Sequence, residues 1–229
     1  MIARHYIETA IPTPALADYK WDDANPHCAF AKQPALRKKI ETLHPRLALA
    51  FAAANSEWTV WCLKSRFDVG FLSDIIEAAW VATADPRYLL NPKPSKQLKW
   101  TDWSGKDREP VLLVYGLLLA SPCGLRKTGD PTEFVYHLSC LAHHLVPNQA
   151  AFKAWRQVIL TRFEKLNAEG AVNYPIPPCA ADPECDFKKA DAKKLFAEFL
   201  GTVSPKKNKF LLTADEMLAA GFKGEPYKI

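Results

Sequence analysis

Short apolar segments with helical spacing, several of them carrying tryptophan, alternate along this chain with breaks set by eighteen prolines. Proline fixes φ and has no N–H to donate, so a helix accepts it in the first turn and is broken by it further in. No run of residues alternates cleanly between apolar and polar, and no period of fixed length repeats. The pattern therefore predicts a mainly α fold, an irregular multi-helix bundle with long proline-rich loops.

The prolines and glycines also divide the chain. Pro12, Pro14 and Pro26 predict an extended arm over residues 1–33. A helical core over 34–170 follows, then a C-terminal helical extension, 171–229, packed on it. Pro34 suits the first turn of a helix ending near His44, and Pro45 opens a second apolar segment through Phe51. A third, Ser56 to Phe67, carries Trp58 and Trp61. Phe71, Leu72, Ile75, Ile76, Ala79 and Trp80 fall at three- and four-residue spacings and predict a helix over 71–84 with one buried stripe. From Asp85 to Glu109 the pattern gives way to a long loop, a length associated with function or mobility. Val111 to Ala120 is apolar nearly all round and reads as a surrounded helix or a buried strand.

Asp130, Pro131 and Glu133 make a helix start, and that helix should reach Leu145. Asn148 can cap the next, where Phe152, Trp155, Ile159, Phe163 and Leu166 form a stripe stopped by Gly170. Beyond a loop over 174–183, a helix from Lys188 to Leu200 is expected to end at Gly201. Thr213 and Glu216 form a capping box for a last short helix, with the final residues as a tail.

At 229 residues the chain can build its own core, and 48% apolar with 24% charged residues is ordinary globular composition. Neither a secretory start nor an apolar run long enough for a membrane span is present, so the expectation is a cytoplasmic protein with no membrane partner. Six cysteines in such a chain are expected as thiols; Cys179 and Cys185, bracketing a polar loop, are the pair close enough in sequence for a disulfide or a shared metal.

Three sets of residues carry candidate chemistry. Lys93, Lys96, Lys99, Lys106 and Arg108 interleave with Trp100 and Trp103, a combination suited to holding phosphates while indoles stack on bases. With Trp21 these indoles are also candidate anchors for a protein partner, since exposed tryptophan and arginine dominate interfaces. The partner-binding set is thus Trp21, Trp100, Trp103, Lys96, Lys99 and Arg108. On the helix after Pro131, His137, Cys140 and His144 lie within one another's reach and are candidate ligands for zinc or iron, which would need further ligands from elsewhere. The same helical wheel places His143 away from the core face, toward solvent. Arg156 and Arg162 flank the stripe of their helix, with heads expected in solvent or on carboxylates. No Gly-x-Ser-x-Gly elbow and no glycine-rich phosphate cradle occurs.

Leu211 to Pro226, with its Leu-Thr-Ala-Asp and its closing Gly-Glu-Pro, resembles a stretch near the end of bacterial CCA-adding tRNA nucleotidyltransferases. The likeness covers a small fraction of the chain, and the paired aspartates of a nucleotidyltransferase head are missing, so no activity follows from it. The sequence reading is a protein that binds another protein, as an adaptor or as an inhibitor of a cognate partner. The alternatives are an RNA- or DNA-binding accessory using residues 91–108 and a metal-dependent enzyme using His137, Cys140 and His144. No cofactor is expected under the first reading.

Overall fold

The computed structural model describes residues 5–18, 32–89, 114, 116, 130–170 and 174–228. Among them the fold is mainly α: helices α1 (His5–Ala10), α2 (Pro34–Thr42), α3 (Pro45–Leu63), α4 (Gly70–Ala82), α5 (Thr132–Leu145), α6 (Gln149–Ala168), α7 (Ala192–Thr202) and α8 (Ala214–Ala219). Short 3-10 turns stand at Pro86–Tyr88, Pro178–Ala181 and Lys189–Asp191. The described residues contain no strand beyond an isolated antiparallel bridge between Leu89 and Leu211.

The bundle is organised by α3. Apart from Pro45, Arg46 and Trp61 every one of its residues is buried, with α5 and α4 as its main neighbours and α6 and the 178–181 turn on its remaining sides. The two apolar segments read on either side of residues 52–55 are one helix. Three alanines at 52–54 favour continuation, and the Asn55 amide donates back to the Phe51 carbonyl at 2.6 Å. Buried hydroxyls on the same helix are satisfied in the same way, Ser56 on the Ala52 carbonyl and Thr59 on that of Asn55. Buried polar contacts also join α3 to its neighbours: the Ser139 hydroxyl donates to Asn55 Oδ1 at 3.1 Å, and the Trp80 indole donates to the Glu57 carboxylate at 3.0 Å.

Several local expectations are met. Asn148 accepts from Ala151 N at 3.1 Å and caps α6, Gly170 ends it with φ +75°, and both halves of the Thr213–Glu216 capping box are present. Val114 and Gly116 are helical, Val114 buried; the remainder of 111–120 lies outside the described residues.

Others are corrected. The arm is not extended throughout: residues 5–10 are helical, because no proline intervenes before Pro12 and Tyr6, Ile7 and Ile11 can all reach the core. Trp61 donates to the Ile11 carbonyl, Asn148 to that of Ala10, and Ala17 N to that of Leu145. Gly201 lies inside α7, which starts after the turn at 189–191 rather than at Lys188. The last residues fold back as well. Tyr227, at φ +63°, packs its ring 4.8 Å from that of Tyr88 and donates its hydroxyl to the Leu212 carbonyl, while Arg87 lies over Phe222.

Under α6 is an aromatic core. Trp155 stacks on Tyr6 (centroids 6.0 Å apart) and Phe51 (6.4 Å) and lies 5.5 Å from both Trp58 and Phe152. Its indole N–H donates to the Ala181 carbonyl at 3.0 Å. One side chain thus joins α1, α3, α6 and the proline-rich segment.

Candidate functional site

Helix α6 has a second strip beside its buried stripe. Val158, Arg162, Lys165 and Glu169 stand at spacings of four, three and four, so one side of the helix carries them all. Facing them is the segment Cys185–Lys189, and the space between is a cleft of about 580 Å³. Val158, Leu166 and Phe187 supply apolar lining; Arg162, Lys165, Lys188 and Lys189 set four cations against the carboxylates of Glu169 and Asp186. Val158 is 46% exposed, one of two exposed large apolar side chains among the described residues.

Arg162 builds the far wall. Its guanidinium donates to four backbone carbonyls, those of Ala180 (2.9 Å), Asp182 (2.6 Å), Pro183 (3.3 Å) and Cys185 (3.0 Å). The planar fork of donors suits a chain wrapped around it. This corrects the expectation of a solvated or carboxylate-paired head: the loop carbonyls, left without helical or sheet partners, are the acceptors at hand. Turns from Cys179 to Asp182 and from Asp182 to Cys185 complete the wrap. Cys179 and Cys185 are both thiols here.

The cations divide into two kinds. Lys188 lies 2.9 Å from Asp186 and Lys165 4.0 Å from Glu169, each with an exposed head. Lys189 donates to the Glu169 backbone carbonyl at 2.8 Å and lies over the Tyr174 ring, so it and Arg162 are held by neutral groups, with no carboxylate partner among the described residues. The lining keeps an excess of two positive charges.

The residues singled out from the sequence are placed elsewhere. Trp21, Lys96, Lys99, Trp100, Trp103 and Arg108 lie outside the described residues. His137, Cys140 and His144 share α5 as expected, but no group of three His, Cys, Asp or Glu side chains placed to hold a metal occurs among the described residues. His137 Nε2 lies 3.5 Å from the Glu133 carboxylate. Cys140 is buried under Gln33, whose amide reaches the sulfur at 3.9 Å, and burial pushes the thiol up, away from the thiolate a metal or a nucleophile requires. Gln33 also takes the Arg156 guanidinium on Oε1 at 2.8 Å and gives its backbone N–H to the Tyr136 hydroxyl at 3.0 Å. Arg156, like Arg162, is thus an internal tie.

His143 is a further correction. It is half-buried, because the turn at 146–148 folds α6 back over its side of α5 and brings Phe152 to 6.4 Å. Its Nε2 is buried and finds no partner among the described residues. Burial first, then Arg156, Lys153 and His144, pushes its pKa down from 6.5 to about 4. The folded protein therefore binds fewer protons than the unfolded chain between those values, and stability conferred by the neutral imidazole above pH 6.5 is lost as pH falls toward 4. The whole shift corresponds to roughly 3 kcal/mol; with part of the ring open to solvent we expect about 1–2 kcal/mol. Denaturant titrations of wild type and His143→Gln from pH 7.5 to 4 should show the wild type losing that much more; parallel curves would remove His143 from the account.

Val158, Leu166, Phe187, Lys188 and Lys189 are not among the candidate functional residues of the sequence, where Leu166 belongs to the buried stripe and Lys188 to a helix start. An apolar residue beside the stripe of α6 and basic residues on the same strip were the available signal. No family model, curated protein or solved structure matches the chain.

Proposed function

We propose that this is a binding protein for another protein, an adaptor or an inhibitor of a cognate partner, and that the cleft between α6 and residues 185–189 is a docking surface. One observation carries the reading: Val158, 46% exposed, stands at an apolar lining that is ringed by charge. A single exposed aliphatic side chain is ordinary. One set in a cleft of this size, with Leu166 and Phe187 beside it, offers an apolar centre with a polar rim, the anatomy of a protein interface. The charged heads are tied by neighbouring carboxylates and carbonyls, an arrangement that positions a rim and offers no nucleophile paired with a base. No helix among the described residues is long and apolar enough to cross a membrane.

The test is a pull-down from native lysate with the tagged full chain, with and without nuclease treatment, beside Val158→Asp. A stoichiometric protein retained by the wild type and reduced at least tenfold by the variant supports the reading. Equal recovery by both excludes the cleft, and recovery that disappears with nuclease replaces the reading with the nucleic-acid one.

A further inference from the structure

Resting on that reading, we propose that the cleft takes an acidic, amphipathic segment of the partner, with one or two aliphatic or aromatic side chains on the apolar lining and carboxylates on either side of them. The walls carry cations on opposite sides: Arg162 and Lys165 on α6, Lys188 and Lys189 on the facing segment. A segment with carboxylates flanking an apolar residue meets both walls at once, whereas a basic segment meets repulsion from both.

The charge excess is not spent internally. Asp186 and Glu169 lie against Lys188 and Lys165, and these pairs are at the surface, where an ion pair is weak and readily exchanged for a new partner. Arg162 and Lys189 retain their full charge on carbonyl oxygens. These two groups stand beside the apolar side chains Val158, Leu166 and Phe187, and a bound segment that covers them displaces water, so its carboxylate is attracted more strongly here than on an open lysine surface. A cleft of about 580 Å³ accommodates a few side chains of a bound segment and is too small for a folded domain. Selectivity then comes from two requirements imposed together, an apolar residue that fits and negative charge beside it.

A phage-displayed dodecamer library panned against the full-length protein, with counter-selection on Val158→Asp, reads the preference directly. The expected winners carry Asp or Glu on both sides of Leu, Ile, Val or Phe. A synthetic winner should bind the wild type and weaken about tenfold or more in Lys165→Glu/Lys188→Glu, whose exposed side chains can be reversed without disturbing the core. Circular dichroism confirms that the variants are folded. Winners that are neutral or basic, a library with no binder that distinguishes Val158→Asp, or acidic winners indifferent to the double reversal overturn the proposal. Competition by single-stranded oligothymidine for the same peptides also overturns it and assigns the cleft to nucleic acid. If the native partner depends on Val158 in the pull-down while the library shows no acidic preference, the docking surface stands and this account of its occupant fails.

Discussion

Trp155→Ala should cost about 3–5 kcal/mol of folding stability, the range for emptying a large aromatic site in a core. The expected effect belongs at the upper end, because the ring contacts Tyr6, Phe51, Trp58 and Phe152 together and no single neighbour can move in to fill the space without leaving another. Trp155→Phe separates packing from hydrogen bonding. It keeps most of the apolar volume but leaves the Ala181 carbonyl without its donor, an expected loss of about 1–3 kcal/mol for a buried acceptor. Urea denaturation of both variants gives the two values. A loss below about 2 kcal/mol for the alanine variant would mean that Trp155 is not the joint between α1, α3, α6 and the proline-rich segment.

Arg162→Ala should have the second largest effect, and a different signature. Four carbonyls lose a charged donor at once, although those of Asp182 and Cys185 keep a backbone N–H, and the expected cost is about 2–4 kcal/mol, given roughly 1.5–3 for a single hydrogen bond to a charged group and partial recovery by water at this half-buried position. The loss should be concentrated locally. Hydrogen exchange of amides in 179–187 should accelerate by at least an order of magnitude more than that of amides in α3. Arg162→Lys should recover only a minor part of the stability, since an ammonium cannot reach carbonyls spread around a planar fork. Equal acceleration in α3 and in the loop, or full recovery with lysine, would refute the assigned role. Because this loop forms a wall of the cleft, either substitution should also weaken whatever docks there.

The helices were legible where punctuation and periodicity agree. In α6 the stripe from Phe152 to Leu166 has helical spacing, and Asn148 and Gly170 flank the one continuous helix that carries it. α3 falls into two segments in the sequence for the opposite reason: a helix buried on nearly every side has no polar face, so the contrast that reveals periodicity is missing around Ala52–Ala54. His143 shows a further limit. A helical wheel tells which residues share a side of α5, and it does not tell that α6 will cover that side.

The cleft was half legible. Val158, Arg162, Lys165 and Glu169 follow one another at helical spacing and are visible as a strip in the sequence. Their counterparts, Phe187, Lys188 and Lys189, come from a segment whose position is decided by the Arg162 guanidinium and the Trp155 indole gathering carbonyls from 180–185. Backbone acceptors are the same in every residue, so nothing in the side-chain pattern announces such a contact.

The ties of α1 also have a consequence for the order in which the chain becomes a protein. Residues 5–17 meet Trp58 and Trp61 about 50 residues on, yet three other groups that hold them, Leu145, Asn148 and Trp155, are made about 130 to 150 residues later. At about 5–20 residues per second that interval is on the order of ten seconds. During it Tyr6 has Trp58 but not Trp155 to pack on, and a six-residue helix is too short to persist alone. Helix α1 is therefore made well before the groups that complete its docking, and its full set of ties exists only once α6 has been made.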